Sequence, residues 1–399
     1  MQVLVSHPHT AVFSQAVAAA LDRYGSLGKF VAGVAYSPES IPAKFAGRFG
    51  DVLPLRNRVV GGVERAKLLS LGGVEIASRL AARTKLVSLY NSIFVAHDVV
   101  AAKVPWPRDL SAVYAYEDGA LKTFERAAAL GLKRVWDLPL PHYRTIAEMW
   151  LEERRRWPTA QEWHPQVEGA WKYRRKDSEL ALASLVVTAS KFTRDSVERL
   201  GVKAPMVTIP YGFPVDQFSA REASPRGPFR VLSVGGHDLR KGTPYLLEAW
   251  KRAELKDAEL RLVGRMSLSP VFLERYAGTF THVPSIPRER LVSEYQAADV
   301  LIFPTLGDGF GMVIQEAMCC GTPVLTTRCG GGPECITDGE NGWIVEERSV
   351  DALVEALRHL HRHRDRTAEA GRKARARAEG WTWQDAGDEY HRQLAAHCA

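Results

Sequence analysis

Phe303–Val345 reads FPTLGDGFGMVIQEAMCCGTPVLTTRCGGGPECITDGENGWIV, and the fold of the chain turns on how this stretch is read. It starts at the end of the apolar run Val300–Phe303, which has the length and composition of a buried parallel strand. The glycine-rich turn Gly307-Asp308-Gly309-Phe310-Gly311 follows. Met312 to Cys320 then shows a helical pattern stopped by Gly321, and Pro323-Val324-Leu325 opens the next strand. Strand, glycine turn, helix and strand in this order set a helix N-terminus at the C-terminal edge of a sheet. Free backbone N–H groups and the helix dipole there are suited to an anion. The glycines let the backbone approach a ligand closely.

Two carboxylates frame the turn: Asp308 precedes the helix and Glu316 lies inside it, with seven residues between them. A carboxylate on an otherwise apolar helix needs a partner, because burying it unpaired is costly. A pair of sugar or ribose hydroxyls is one such partner. An early-helix Glu favoured by the dipole, beside an Asp in a turn, is the other reading. The residues alone leave both open.

At this point the chain resembles the family 4 glycosyltransferases of GT-B fold. The resemblance rests on the Asp-x7-Glu spacing, Gly309-Phe310-Gly311, Glu316-Ala317-Met318, Gly321-Thr322-Pro323-Val324 and Asp338-Gly339-Glu340-Asn341-Gly342. It is strong over residues 230 to 345 and weaker before residue 180. The family usually has Glu where this chain has Asp308. The resemblance implies an α/β protein, with two Rossmann-like domains facing a central cleft and a C-terminal helix crossing back to the first. Residues 1–211 and the helix 383–399 would form the acceptor side, and residues 212–382 the nucleotide-sugar side.

The implied activity is a retaining, hexosyltransferase-type transfer from a UDP-sugar or GDP-sugar to a glycan, lipid-linked or small-molecule acceptor. No metal and no cofactor beyond the nucleotide-sugar co-substrate are expected. Lys241, Arg240 and the N–H groups of Gly311, Met312 and Val313 would stabilise the leaving diphosphate. Glu316 would hold the ribose, Asp308 the donor sugar hydroxyls, and His142 would orient the sugar or acceptor. Gly309, Phe310, Gly235 and Gly236 complete the nucleotide side. A sugar phosphorylase of the same fold, or a nucleotide-sugar-binding protein without turnover, are the alternatives.

At 399 residues, the chain is long enough for two ordinary α/β domains. No run of 18 apolar residues occurs, and MQVLVSHPHT enters a strand pattern directly, so neither a transmembrane helix nor a signal peptide is expected. Five cysteines (Cys319, Cys320, Cys329, Cys335, Cys398) show no metal-ligand or redox spacing, which fits a reduced cytoplasmic protein. A net charge of +7 suits a phosphorylated substrate or an anionic surface, and nothing resembling a nucleic-acid module accompanies it.

Along the chain, Val3–Ser6 is a strand, and Thr10 is placed to cap a helix from Ala11 to Arg23. His7 and His9 lack a third ligand at a telling spacing and read as loop histidines. Phe30–Ala35, Val52–Leu55, Val87–Leu89 and Ile93–Ala96 read as strands of βα units. Ser111–Tyr116 is a further strand, followed by a helix from Ala120 to Leu130. The strand Arg134–Leu138 leads through Asp137 to His142 at the edge where open α/β sheets bind ligands.

Residues 143 to 176 are rich in Trp and Arg. Such a stretch suits peripheral contact with an inner membrane surface. A soluble helix with Arg outside and Trp inside fits as well, and Pro158 and Pro165 interrupt any continuous membrane face. Tyr211-Gly212 stands where relatives often carry Asn-Gly and opens a hinge. The second half restarts with strand Arg230–Val234 and Gly235-Gly236-His237-Asp238-Leu239-Arg240-Lys241-Gly242. Gly236 occupies the place of a family arginine, whereas Lys241-Gly242 match. Thr243-Pro244 reads as the cap and first turn of the next helix.

Overall fold

The computed structural model describes residues 1–40, 58–73, 75, 92–160, 169–223, 225 and 227–398. Two all-parallel sheets organise it. The first holds β1 (Val3–His7), β2 (Leu27–Ala32), β3 (Leu68–Ser70), β4 (Ala112–Tyr116), β5 (Lys133–Leu138), β6 (Leu185–Thr188) and β7 (Met206–Thr208), in spatial order 3-2-1-4-5-6-7. The second holds β8 (Phe229–Val234), β9 (Ala258–Val263), β10 (Thr281–Val283), β11 (Val300–Phe303), β12 (Val324–Thr326) and β13 (Gly342–Ile344), in order 10-9-8-11-12-13. Each order reverses once, at β1/β4 and at β8/β11, and such switch points open a crevice at the carboxyl ends of the strands.

The central strands are apolar throughout because both faces are covered. Val300 to Phe303 are buried at every position, as are Val113 to Tyr116. The helices on these faces are α1 (Val12–Arg23), α2 (Ser92–Ala101), α3 (Leu121–Ala129), α4 (Tyr143–Arg156), α5 (Ala170–Leu182) and α6 (Lys191–Glu198) in the first half. In the second half they are α7 (Thr243–Ala253), α8 (Pro270–Leu273), α9 (Arg288–Ala297), α10 (Met312–Cys319), α11 (Gly332–Cys335), α12 (Val350–Arg362) and α13 (Arg364–Glu379). The last helix, α14 (Trp383–Cys398), returns to the first sheet, where Tyr390, Leu394 and Cys398 join the core beneath α1. Helix α4 goes the other way. Its Met149, with Ile146 and Trp150, packs into the core of the second half.

Four local expectations are corrected. Ile93–Ala96 is not a strand but part of α2, with Ile93, His97 and Ala101 buried on one face. A four-residue apolar run does not distinguish a strand from one turn of a buried helix. Thr10 does not cap α1: the cap is Ala11 without a side-chain bond, and Thr10 Oγ1 accepts from Arg58 instead. Thr243 lies inside α7, and the cap is Gly242 at φ 68°, where a Cβ would overlap the Pro304 carbonyl. On α5 the expected polarity is reversed: Trp171 is exposed, while Lys172, Arg175 and Lys176 point inward. They meet Asp118, Asp98 with Glu179, and Glu117 respectively. Two of these carboxylates also accept the first N–H groups of α3, Glu179 from Leu121 and Asp98 from Lys122 and Thr123, so the buried cations balance a capped helix end. The expected strands Val52–Leu55 and Val87–Leu89 lie outside the described residues, as do residues 161–168 of the basic-aromatic stretch.

Candidate functional site

The site is built where the ends of β8 and β11 meet. Arg240 and Lys241 close the turn after β8, and the glycine turn follows β11. Leu306 N donates to the Arg240 carbonyl at 2.8 Å, and Arg240 Nη1 donates to the Gly307 carbonyl at 2.7 Å, so the two turns are laced together. Asp308 receives both cations: Lys241 Nζ is in direct contact, and Arg240 Nη1 lies 3.8 Å away. Gly309 N–H adds a bond to Asp308 Oδ1 at 2.9 Å. Burial alone would raise the Asp308 pKa, but Lys241 and Arg240 outweigh it and hold the carboxyl below its ordinary value. Lys241 Nζ also sits 4.6 Å from the centroid of the Phe303 ring.

Helix α10 starts beside this cluster. Its cap, Gly311, has φ 89° and offers no side chain, so no side chain caps the N–H groups of Met312 and Val313. Glu316, one turn on, has its partner already in place. Tyr295 Oη donates to Oε2 at 2.8 Å, and Arg288 lies 3.8 Å from Oε1. Burial raises the Glu316 pKa, against the pull of Tyr295 and Arg288. Gly235 (φ 127°) and Gly236 follow β8, and a Cβ at Gly236 would meet nothing within 4 Å.

The structure draws Asp308, Lys241, Arg240, Gly235, Gly236 and the Gly311–Val313 N-terminus into the edge of the second sheet. It gives other candidates different surroundings. Gly309 approaches the first half: a Cβ there would overlap the Pro139 carbonyl oxygen, and its own carbonyl accepts from Ser190 Oγ at 2.6 Å and Thr193 Oγ1 at 3.1 Å. Phe310 is buried against Tyr211 with ring centroids 5.2 Å apart, and its carbonyl accepts from Gly331 N at 2.7 Å.

His142 caps α4, its Nδ1 accepting from Arg144 N at 3.4 Å. Its backbone N–H donates to Ser196 Oγ at 2.9 Å, and its Nε2, 4.0 Å from Asp177, has no hydrogen-bond partner. Burial pushes its pKa down to about 4. At β1, His9 N–H donates to His7 Nδ1 at 2.9 Å. A groove of about 680 Å³, lined by Arg144, Asp177, Leu180, Leu200 and Lys203, runs along the outer flank of α5 and α6. None of the glycine-turn residues lines it, so its size does not make it the site.

Sequence reasoning missed Tyr295 and Arg288 at Glu316, and Ser190, Thr193 and Pro139 at Gly309. Tyr295 is 21 residues upstream of its carboxylate, a separation with no periodic signature. Ser190 carried the one available signal, a serine between a strand and a helix, and it does cap α6.

A family model described as Glycosyl transferases group 1 matches residues 228–363. Over 283 residues the chain is 27% identical to a D-inositol 3-phosphate glycosyltransferase of Arthrobacter sp. (strain FB24), covering 64% of this chain and 65% of that one. Over 204 residues it is 31% identical to a GDP-mannose-dependent alpha-(1-6)-phosphatidylinositol monomannoside mannosyltransferase of Mycolicibacterium smegmatis, covering 45% and 53%. A D-inositol 3-phosphate glycosyltransferase of Paenarthrobacter aurescens is 30% identical over 203 residues, and the chain spans about half of its length, 49%. Among solved structures, HepE of Anabaena in complex with UDP-glucose superposes with a TM-score of 0.63 at 16% identity, covering 99% of this chain and 100% of that one. Sucrose-phosphate synthase of Thermosynechococcus elongatus gives 0.62 at 18%, with the same coverage. At such identities these two structures speak for the fold alone.

Proposed function

We propose that the chain, whose residues 228–363 match the group 1 glycosyltransferase model and whose fold is that of GT-B enzymes, transfers a sugar, with retention, from a nucleoside diphosphate to an acceptor, without a metal. The observation that carries this reading is the convergence of Lys241, Arg240 and the uncapped N-terminus of α10 on one point at the carboxyl edge of the second sheet. Three positive elements around a single carboxylate suit a diphosphate. Asp308 then serves as the resident counter-charge. When the diphosphate oxygens take over Lys241 and Arg240, the carboxylate is released to accept from sugar hydroxyls.

The chemistry follows from charge. As the bond between sugar and diphosphate breaks, positive charge grows on the ring and negative charge on the leaving group. Cations and N–H groups already aimed at that point need no reorganisation, so they favour the transition state over the bound donor. Glu316, held by Tyr295, is positioned for a ribose hydroxyl with its Oε1 side. The seam at Gly309 brings the first half against the donor turn and narrows the place where an acceptor meets the sugar.

The relatives' names point to sugars carried by GDP and to inositol-based acceptors, and HepE was solved with UDP-glucose. The test is a transfer assay in excess EDTA that pairs UDP- and GDP-sugars with inositol phosphates and phosphatidylinositol mannosides. The expected result is a glycoside and a nucleoside diphosphate in equal amounts. Sugar phosphate made from inorganic phosphate would instead identify a phosphorylase, and donor binding with no product from any acceptor would leave a binding protein. Trp171 and Arg154, Arg155 and Arg156 are exposed, and residues of these types would suit contact with an anionic lipid surface that carries such an acceptor.

A further inference from the structure

His237, in the turn after β8, has no role in the proposed donor site. It directly follows Gly235-Gly236 and reaches over the end of β9. Its N–H donates to the Arg265 carbonyl at 2.8 Å, and Ser267 N–H donates to its own carbonyl at 2.9 Å, so the backbone on both sides of the ring is pinned. One ring nitrogen bonds the Val263 carbonyl. The other, Nε2, is buried and has no partner, in a side chain only 1% exposed. An imidazole held this way has a fixed tautomer, with N–H toward Val263 and a lone pair at Nε2. An orphaned buried polar atom is costly and calls for a partner.

We propose that His237 is a ligand-gated cation: Nε2 takes up a proton from solvent when a nucleotide-sugar enters the turn and then donates a hydrogen bond to its diphosphate, adding charge where Gly236 has no side chain. This deepens the donor-site reading and rests on it. The proton balance is one proton from solvent on to Nε2 as the nucleotide-sugar binds, with Nδ1–H kept on Val263. The groups facing the ring are His282 from β10, with ring centroids 6.2 Å apart, and Lys241 from the same turn. Burial first, then these two neighbours, hold the empty imidazole down at about 4, against the pull of Val263, so it is neutral near pH 7. Lys241 and Arg240 are engaged with Asp308 and Gly307 before the ligand comes. A diphosphate reverses the balance, because a negative charge beside a buried imidazole favours its protonated form.

The sign follows from linkage. A pKa that is low in the free protein and high in the complex makes binding tighter as pH falls, by about tenfold per pH unit between the two values. The experiment is calorimetric titration of the full chain with UDP-glucose and with GDP-mannose at pH 6.5, in buffers of different ionisation heat. These donors carry no phosphate proton that titrates there. The parent should take up close to one proton per bound donor, and His237→Gln, which keeps a hydrogen-bonding side chain but cannot titrate, should take up none. The variant should also lose the pH dependence of affinity, and a melting curve matching the parent's shows that it is folded. Binding by the parent with no proton uptake overturns the proposal, as does uptake that persists in His237→Gln. If neither donor binds the parent at all, the donor-site reading itself fails, which is a different result. Should His237→Gln not fold, His237→Asn and the parent's own proton count decide the matter.

Discussion

Replacing Lys241 by Met keeps the length of the side chain and removes its charge, at a position where the structure separates two costs. The first falls on stability. Lys241 and Asp308 are both largely buried, and losing one member of such a pair leaves an uncompensated carboxylate, worth about 3–5 kcal/mol. Arg240 at 3.8 Å and the Gly309 N–H at 2.9 Å remain with Asp308, which puts the loss at the lower end of that range. The second cost falls on the barrier. A cation that strengthens as charge builds on the leaving diphosphate should be worth about 2–4 kcal/mol, by analogy with one oxyanion donor, or roughly thirty- to nine-hundredfold in kcat. Urea unfolding and steady-state kinetics read the two separately. Adding Asp308→Asn to Lys241→Met should recover most of the stability and none of the rate, because it removes the orphan charge without supplying a cation. Donor affinity should fall by less than kcat in the single variant. A folded Lys241→Met enzyme with kcat within threefold of the parent's would exclude a transition-state role and leave the lysine as a structural counter-ion.

Three further outcomes follow from the same geometry. Arg240→Ala should slow turnover less than Lys241→Met, since its guanidinium is the more distant from Asp308. Gly236→Arg in that background should recover part of the rate because the space beyond a Cβ there is open; no recovery would mean that charge at position 236 does not reach the diphosphate. Glu316→Gln should weaken nucleotide binding by about 1.5–3 kcal/mol, the worth of a charged hydrogen bond, and unchanged affinity in calorimetry would take Glu316 out of the site. Asp137, buried at the end of β5 and receiving Tyr114 Oη at 2.5 Å, is pushed up to about 7 by burial. The folded protein therefore keeps that proton between about pH 4 and 7 while the unfolded chain loses it, and stability falls as pH rises through this window. Across the whole window the loss amounts to about 4 kcal/mol. Asp137→Asn should gain on the parent by that order between about pH 4 and pH 8 in chemical unfolding, and an equal difference at both would contradict the assignment.

How much of this was legible without coordinates depends on how local each signal is. The run Val300–Phe303, the turn to Gly311, the helix to Cys319 and the strand Val324–Thr326 are written in adjacent residues, so their order and type could be read directly. Ser349 likewise announces α12, and its Oγ accepts from Ala352 N as a cap should. What failed to show is set by residues far apart in the chain. Gly309 has the look of a glycine making room for a ligand, yet the backbone it makes room for is Pro139. Glu316 asked for a partner, and Tyr295 supplies one from the preceding helix. The basic face of α5 is turned inward because Glu117 and Asp118 wait at the end of β4, which composition cannot reveal. Helix α2 escaped because four apolar residues fit either period.

On the proposed function, the turn after β8 and the N-terminus of α10 hold a nucleoside diphosphate sugar by charge and N–H groups, with no metal. Calorimetric titration of the full chain with UDP- and GDP-sugars, run with and without excess EDTA, tests it most directly. The expected result is one donor site per chain for at least one of these nucleotides, with the same affinity in both conditions, and weaker binding for Glu316→Gln. Saturation that appears only when magnesium or manganese is supplied, or no binding by any member of either series, would contradict it.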